Sequence, residues 1–387
     1  MWADLAPIGR DPRSGGYQRF AWTHEDAELR EWFCGEAVAR GLTTVLDRAG
    51  NLWAWHGNPD ETPGVVMGSH LDSVPDGGAF DGPLGVVSAF AALDALLAKG
   101  FRPSRPLGVA CFADEEGARF GVACAGSRLL TGLLAPERAH TLTDADGIHL
   151  ATAMTHSGVG PTRLGRDEEA LRRIGHFVEL HVEQGRGLDD LGASVGVASA
   201  IRPHGRWRID LPGEANHAGT TLLTDRRDAM IAAAEVVLAA RAAAERHDAV
   251  ATCGKLQVVP NGVNAIPSHA TVWLDARAAS AEQVHAVITD VAAAAERLGG
   301  TLLEQSWSDA TGFPDAGRLA DVLDGVPVLD TGAGHDAGIL AQAGVPSAML
   351  FVRNPTGVSH SPAEHAERDD CLAGVAALAT VIEELAR

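Results

Sequence analysis

The stretch G-S-H-L-D-S-V-P-D-G-G-A-F-D-G, Gly68–Gly82, follows a short apolar run, Val65–Met67. It sets one histidine and three aspartates among glycines within fifteen positions. A buried strand that opens into a polar turn is where α/β proteins place their chemistry. The stretch reads as a loop in which His70 and Asp81 bind metal. The remaining ligands must then come from later in the chain.

Thr23 before H-E-D reads as an N-cap with acidic residues in the first helical turn, and that helix runs to Arg40 and stops at Gly41. Leu42–Leu46 and Leu52–Trp55 read as strands around the turn Asp47–Asn51. After the loop, Gly85–Lys99 reads as a helix ended by Gly100. Leu107–Ala113 reads as an apolar strand that delivers Asp114-Glu115-Glu116 at its C-terminal end. Phe177–Val182 is a further strand, running into Glu183-Gln184-Gly185, and Val195–Ser199 another. Alternating strands and helices predict an α/β domain with a central, mostly parallel sheet.

Near residue 200 the pattern changes. Trp207, Ile209 and Leu211 alternate with Arg206, Arg208 and Asp210, as in a half-buried strand. A helix is expected from Thr224 to about Arg246, strands over Thr252–Val259 and Ala270–Ala276, a helix over Ala281–Leu298 and a strand over Thr301–Trp307. This order is that of a compact α+β module. The expected division is a catalytic domain in two parts, residues 1–199 and 313–387, with the module inserted at 200–312. The second part holds a helix at Ala316–Leu323, a strand at Ala348–Phe351, a His-rich loop and a last helix from about Asp369.

With 387 residues, 46% hydrophobic and 21% charged, the chain is long enough for two globular domains. The 31 Lys and Arg against 51 Asp and Glu, a net charge of -20, argue against nucleic acid or an anionic membrane surface as partner. No apolar run approaches membrane-spanning length. The N-terminus lacks a basic region followed by an apolar core. Five widely spaced cysteines, with no C-x-x-C pair, read as reduced thiols of a cytoplasmic protein.

His70, Asp72, Asp81, Glu115, Glu116, His181 and His360 all fall at or beyond the expected C-terminal ends of strands. A lone H-x-D or Glu-Glu is commonplace on a solvated surface. Their joint placement in one alternating domain is what points to a site. Imidazole and carboxylate without thiolate suit Zn²⁺, Mn²⁺, Co²⁺ or Ni²⁺. Adjacent glutamates repel unless a cation faces them; with metal present, one can ligate and the other serve as general base on water.

In order, H-L-D, F-D-G, D-E-E-G-x-R-F, E-L-H-V-E-Q-G, N-H-A-G-T-T, N-x-x-N-x-I-P, L-D-A-R, G-A-G-H-D-A and S-H-S-P-A-E resemble the M20 metallopeptidase superfamily. The likeness is to its amidase branch: N-carbamoyl-L-amino-acid hydrolases, β-ureidopropionases and allantoate amidohydrolases. It extends from Gly15-Gly16 to the last helix. The resemblance implies two divalent metal ions per subunit, with His70 and His181 on one, Glu116 and His360 on the other, and Asp81 bridging. It implies that Asp72 hydrogen-bonds the far nitrogen of His70, and that Glu115 takes a proton from water and passes it to the leaving nitrogen.

It further implies that the inserted module is a lid and dimerisation domain of a homodimer. His217 then reaches into the partner subunit's site and polarises the scissile carbonyl. Asn264 and Arg277 clamp a substrate carboxylate, and Gln184 contacts the ureido or acyl group. The substrate is a small molecule such as allantoate or an N-carbamoyl-L-amino acid. N-formyl or N-acyl amino acids, a dipeptidase, and a metal-free binding homologue are the alternatives. The chain departs from the pattern at Leu222-Leu223, where relatives often have Pro-Met. Arg202 and His204 either meet a second substrate carboxylate or pair with surface acids.

Overall fold

The computed structural model describes all 387 residues. Its strands, in chain order, are β1 (Thr43–Leu46), β2 (Leu52–His56), β3 (Gly64–His70), β4 (Leu107–Phe112), β5 (Ile174–Val182), β6 (Val195–Ile201), β7 (His204–Pro212) and β8 (Asn216–His217). They continue with β9 (Ala249–Val259), β10 (Ala265–Ile266), β11 (His269–Ala278), β12 (Thr301–Ser308), β13 (Thr311–Gly312), β14 (Val328–Thr331) and β15 (Ser347–Val352). The chain forms two compact units, one of Met1–Ala200 with Gly312–Arg387, the other of Ile201–Thr311.

The first unit is built on one sheet in the order β1-β2-β4-β3-β5-β15-β6-β13, with β14 also pairing with β6. Its centre is parallel: β3 pairs with both β4 and β5, and β15 with β5. β1, β2 and β6 join antiparallel. This is the expected mixed α/β architecture. Every residue of β3 and β4 is buried, which explains why their middles read as unbroken apolar runs. Gly68 is required in β3, because a Cβ there would lie 2.1 Å from the Ala110 carbonyl oxygen on the neighbouring strand. The helix Pro83–Ala98 starts with Pro in its first turn, and Phe90, Leu93 and Leu96 join Leu378, Val381 and Ile382 of the last helix, Arg368–Leu385, in one core.

Because β4, β3, β5 and β15 are adjacent and parallel, their C-terminal ends lie along one edge of the sheet. His70 is the last residue of β3, His181 lies one short of the end of β5, and Asp114-Glu115-Glu116 follow β4. His70 is in register with Phe112, and His181 with Phe351. The strands are longer than their apolar cores: β3 extends past Met67 and β5 starts at Ile174 rather than Phe177. Ladder hydrogen bonds do not depend on side-chain polarity, so His70 is drawn into the strand.

The second unit is a four-stranded antiparallel sheet, β12-β7-β11-β9, carrying the helices Ala229–Arg246 and Ala281–Arg297. The order strand–helix–strand–strand–helix–strand is a split βαβ arrangement. Trp207, Ile209 and Leu211 are buried against Val284, Val287 and Val291. A capping box between Ser280 and Gln283 starts the second helix. The first helix begins at Ala229, not Thr224. Asp228 caps it by accepting from the Met230 N–H, while the Arg226 guanidinium binds the carbonyls of Ala218 and Thr221, and Leu223–Asp225 form a separate 3-10 turn.

Candidate metal centre

Two groups of side chains on the first unit bring ligand atoms within 4.8 Å of one another: His70, Asp81 and His181, and Asp81, Glu116 and His360. Asp81 belongs to both. Its Oδ1 lies 3.6 Å from His70 Nε2 and 3.1 Å from His181 Nε2. Its Oδ2 lies 3.4 Å from His360 Nε2, and His360 Nε2 lies 3.8 Å from Glu116 Oε2.

The histidine tautomers test whether a cation fits. His181 Nδ1 is 2.9 Å from the Val182 carbonyl oxygen, and His70 Nδ1 is 3.1 Å from the carbonyl oxygen of Asp72. A carbonyl can only accept, so each Nδ1 carries the proton. Both Nε2 atoms are buried and without a hydrogen-bond partner. In the neutral ring each would direct a lone pair toward a carboxylate oxygen. Such an arrangement, out of water, needs a cation between the acceptors. Burial opposes a proton on His70, but Glu115, Asp72 and Asp81 outweigh it and hold its pKa well above the usual range. The same contest, with Asp81 and Glu179 as the favourable partners, raises His181. Two imidazoles and shared carboxylates without thiolate fit a divalent metal in that role.

The glutamate pair is buried, at 5% and 6% exposure. Burial and neighbouring carboxylates push Glu115 well above the ordinary range, and burial with Asp81 pushes Glu116 to about 7. Both costs fall if a cation faces the pair. Asp72 organises the segment: its carboxylate oxygens accept the main-chain N–H of Glu115 at 3.1 Å and of Glu116 at 3.0 Å. His70 Nδ1 donates to the Asp72 carbonyl oxygen, and the Asp72 carboxylate lies 3.4 Å from the same nitrogen. Gly82, at φ +85°, gives the His70 ring its room, since a Cβ there would lie 2.5 Å from the ring. Asp114, Cys124 and His360 also take left-handed backbone angles, a local strain of about 1 kcal/mol each that the surrounding packing sustains.

Several residues of the site were not legible in the sequence. Glu364, buried, accepts the N–H groups of Phe80 and Asp81 at 2.9 Å each and the hydroxyl of Ser359 at 3.0 Å. Its sequence signal is the closing Glu of the S-H-S-P-A-E motif, four residues after His360, to which the sequence assigns no role. Glu179 is fully buried, two residues before His181 on the same face of β5, and accepts from Ser69 and from the Ala337 N–H. Ser127 donates to buried Asp336, and the Cys124 thiol to Glu115. The ring of His335 lies edge-on to His181. Glu183 turns away, accepting the N–H groups of Gly187 and Leu188.

Gln184 donates from Nε2 to Asp81 Oδ2 at 2.9 Å and lies 3.3 Å from His360 Nε2. The remaining candidate residues lie in the second unit. His217 is exposed on β8, opposite Ala265 of β10, and the Asn264 carbonyl accepts the Ala218 N–H, so His217 and Asn264 are neighbours on one short ladder. Arg277, near the end of β11, forks onto Asp275 at 2.6 and 2.9 Å. Arg206 pairs with Asp275 and Arg208 with Asp210. His204 Nδ1 lies 2.9 Å from the Arg202 carbonyl oxygen.

Comparison with known proteins bears on the whole chain. The model of peptidase family M20/M25/M40 matches residues 66–384. An N-carbamoyl-L-amino acid amidohydrolase of Geobacillus stearothermophilus is 37% identical, covering 99% of this chain and 97% of that protein. An allantoate amidohydrolase of Escherichia coli is 33% identical, covering 99% of this chain and 96% of its own. The crystal structure of an amidase of the hydantoinase/carbamoylase family from Burkholderia vietnamiensis superposes with a TM-score of 0.90 at 31% identity, over 100% of this chain and 95% of that one.

Proposed function

From the premise that this chain belongs to peptidase family M20/M25/M40, we propose that it hydrolyses the linear ureido bond of a small carboxylate, an N-carbamoyl-L-amino acid or allantoate. It is a hydrolase of carbon–nitrogen bonds other than peptide bonds, as are the amidohydrolases it resembles across nearly its full length. The observation that carries the proposal is the convergence of the His70 and His181 Nε2 atoms, both buried and without a hydrogen-bond partner, on Asp81 Oδ1.

In this reading His70 and His181 would hold one divalent ion, Glu116 and His360 a second, and Asp81 would serve both. Bound there, the ions would polarise the scissile carbonyl and make water a nucleophile at neutral pH. Asp72 holds the glutamate pair by its main-chain N–H groups and leaves the side chains free for separate tasks. Glu115 takes a proton from the attacking water and returns it to the leaving nitrogen. For an N-carbamoyl amino acid, water adds to the carbamoyl carbon and the bond to the amino-acid nitrogen breaks. The amino acid leaves, and the carbamic acid separates into CO₂ and ammonia. Gln184 orients the ureido group.

We assign the second unit to lid closure and dimerisation, with His217 donating to the carbonyl oxygen in the partner subunit's site. Asn264 and Arg277 bind the substrate carboxylate, Arg277 exchanging its fork on Asp275 for one on substrate. Exposed apolar residues on edge strand β9 (Val250, Leu256, Val259) and on the helix Ala229–Arg246 (Ile231, Leu238) support a homodimer face. Five free cysteines support a reducing, cytoplasmic setting; no helix is long and apolar enough to cross a membrane.

The test is a hydrolysis screen of allantoate, N-carbamoyl-L-amino acids, N-formyl-L-amino acids and dipeptides, each with Mn²⁺, Co²⁺, Ni²⁺ and Zn²⁺. The ureido substrates are expected to turn over fastest. Faster dipeptide cleavage would replace this reading with a peptidase one. Glu115→Gln is expected to abolish turnover while metal stays bound; a variant that still turns over removes Glu115 from the mechanism.

A further inference from the structure

The chemistry proposed above uses one oxygen of Glu115, the one that meets the proton. Oε2 faces the metal ligands, 3.7 Å from His70 Nε2. The other oxygen, Oε1, is 3.2 Å from the Sγ of Cys124, a buried side chain with no task so far. A carboxylate oxygen only accepts, so the thiol donates. The contact is aligned by the backbone. The N–H groups of Cys124, Ala125 and Gly126 bond in turn to the carbonyls of Glu115, Asp114 and Ala113, so the two segments run side by side. Cys124 adopts a left-handed conformation (φ 54°) at the start of the helix Ala125–Thr131, which turns its side chain toward Glu115. Burial, with Glu115 and Asp336 nearby, raises the thiol pKa well above its usual value and keeps it a donor.

We propose that Cys124 is a positioning residue for Glu115: its S–H···Oε1 hydrogen bond fixes the carboxylate rotamer and leaves Oε2 as the oxygen that takes and returns the proton. The kinetic role rests on the reading of Glu115 as general base; the hydrogen bond itself does not. A weak neutral donor such as a thiol orients Oε1 without strongly reducing the basicity of Oε2.

The test uses the full chain, with kinetics on the metal-loaded protein and whichever ureido substrate turns over fastest. Cys124→Ala is expected to lower kcat about tenfold, the size of one hydrogen bond felt at the transition state, with KM and metal content unchanged. Cys124→Ser, which restores a donor, is expected to recover most of the loss. Full kcat in Cys124→Ala, or Cys124→Ser as slow as Cys124→Ala, overturns the proposal.

Infrared spectroscopy of the S–H stretch provides a readout independent of turnover. The band lost in Cys124→Ala should lie below those of the other thiols in the wild-type protein and move up in Glu115→Ala. A band that ignores Glu115→Ala overturns the proposal. Where Cys124→Ala does not fold, Cys124→Ser and the Glu115→Ala spectrum suffice, the band then being the one lost in Cys124→Ser. A Glu115→Gln variant that keeps its turnover would reject the base assignment, while the infrared band still reports on the contact.

Discussion

Glu364 Oε1 accepts the main-chain N–H of Asp81 at 2.9 Å, joining two loops 283 positions apart in the chain. The same carboxylate accepts from Phe80 and from Ser359, one residue before His360. It therefore ties the loop that carries the shared carboxylate to the loop that carries His360. Groups that orient ligands in this way commonly govern metal affinity by about 10- to 100-fold. Glu364→Ala is expected to weaken divalent-metal binding by about that factor, measured by calorimetric titration of the chelator-stripped protein. Unchanged affinity would mean that other contacts hold Asp81.

Gly82 lies against the His70 ring. Alanine there would meet two costs: a left-handed φ of +85° and a Cβ 2.5 Å from the ring. Gly82→Ala is expected to lose about 2 kcal/mol of stability or more, and to bind metal less tightly because the ring must move. Paired thermal melts and metal titrations check both. A variant as stable and as tightly loaded as the parent would show that the loop can yield.

Removing metal is expected to expose the cost of assembling this site. Asp81, Glu115 and Glu116 lie together in the interior, each 6% exposed or less. Chelation is expected to lower Tm, and added Zn²⁺, Mn²⁺, Co²⁺ or Ni²⁺ to restore it. At a hundredfold excess over Kd, one bound ion contributes about 2.7 kcal/mol. A melt indifferent to chelator and metal would count against the metal reading.

A pH effect is expected away from the site. Asp47 is buried, and its carboxylate accepts from Ala49, Asn51 and Trp53. Burial outweighs these donors and raises its pKa from 3.8 to about 6. The folded protein then binds this proton more readily than the unfolded chain does. Its contribution to stability is greatest below about pH 4 and is lost as pH rises to about 6. Against Asp47→Asn, the wild-type protein should gain up to about 3 kcal/mol between pH 7 and pH 4. Urea unfolding at both pH values measures the difference. A wild-type protein that loses stability relative to Asp47→Asn toward low pH would mean that the donors hold the carboxylate ionised.

Much of the first unit is legible because its signals are local. Apolar runs of five or six residues, glycine stops and acidic helix starts mark the strands and helices, and the parallel centre follows from their alternation. The helix at Ala229 shows where such signals fail. Thr224 and Asp225 look like a helix start, but Arg226 spends its guanidinium on the carbonyls of Ala218 and Thr221, and the cap passes to Asp228. No residue-type pattern records which carbonyls an arginine will reach.

The sequence by itself determined the alternation that makes the sheet, the imidazole and carboxylate chemistry at its strand ends, and the motif order shared with the amidases. Tertiary structure alone decided which atoms meet. It turned the Asp72 carboxylate toward the N–H groups of Glu115 and Glu116, buried Glu179 behind His181, set Glu364 under Asp81 and placed the Cys124 thiol on Glu115. The reason is physical. Local periodicity encodes which face of an element is apolar, whereas a buried acid's partner is chosen by desolvation and hydrogen-bond geometry across segments that come together only when the core closes.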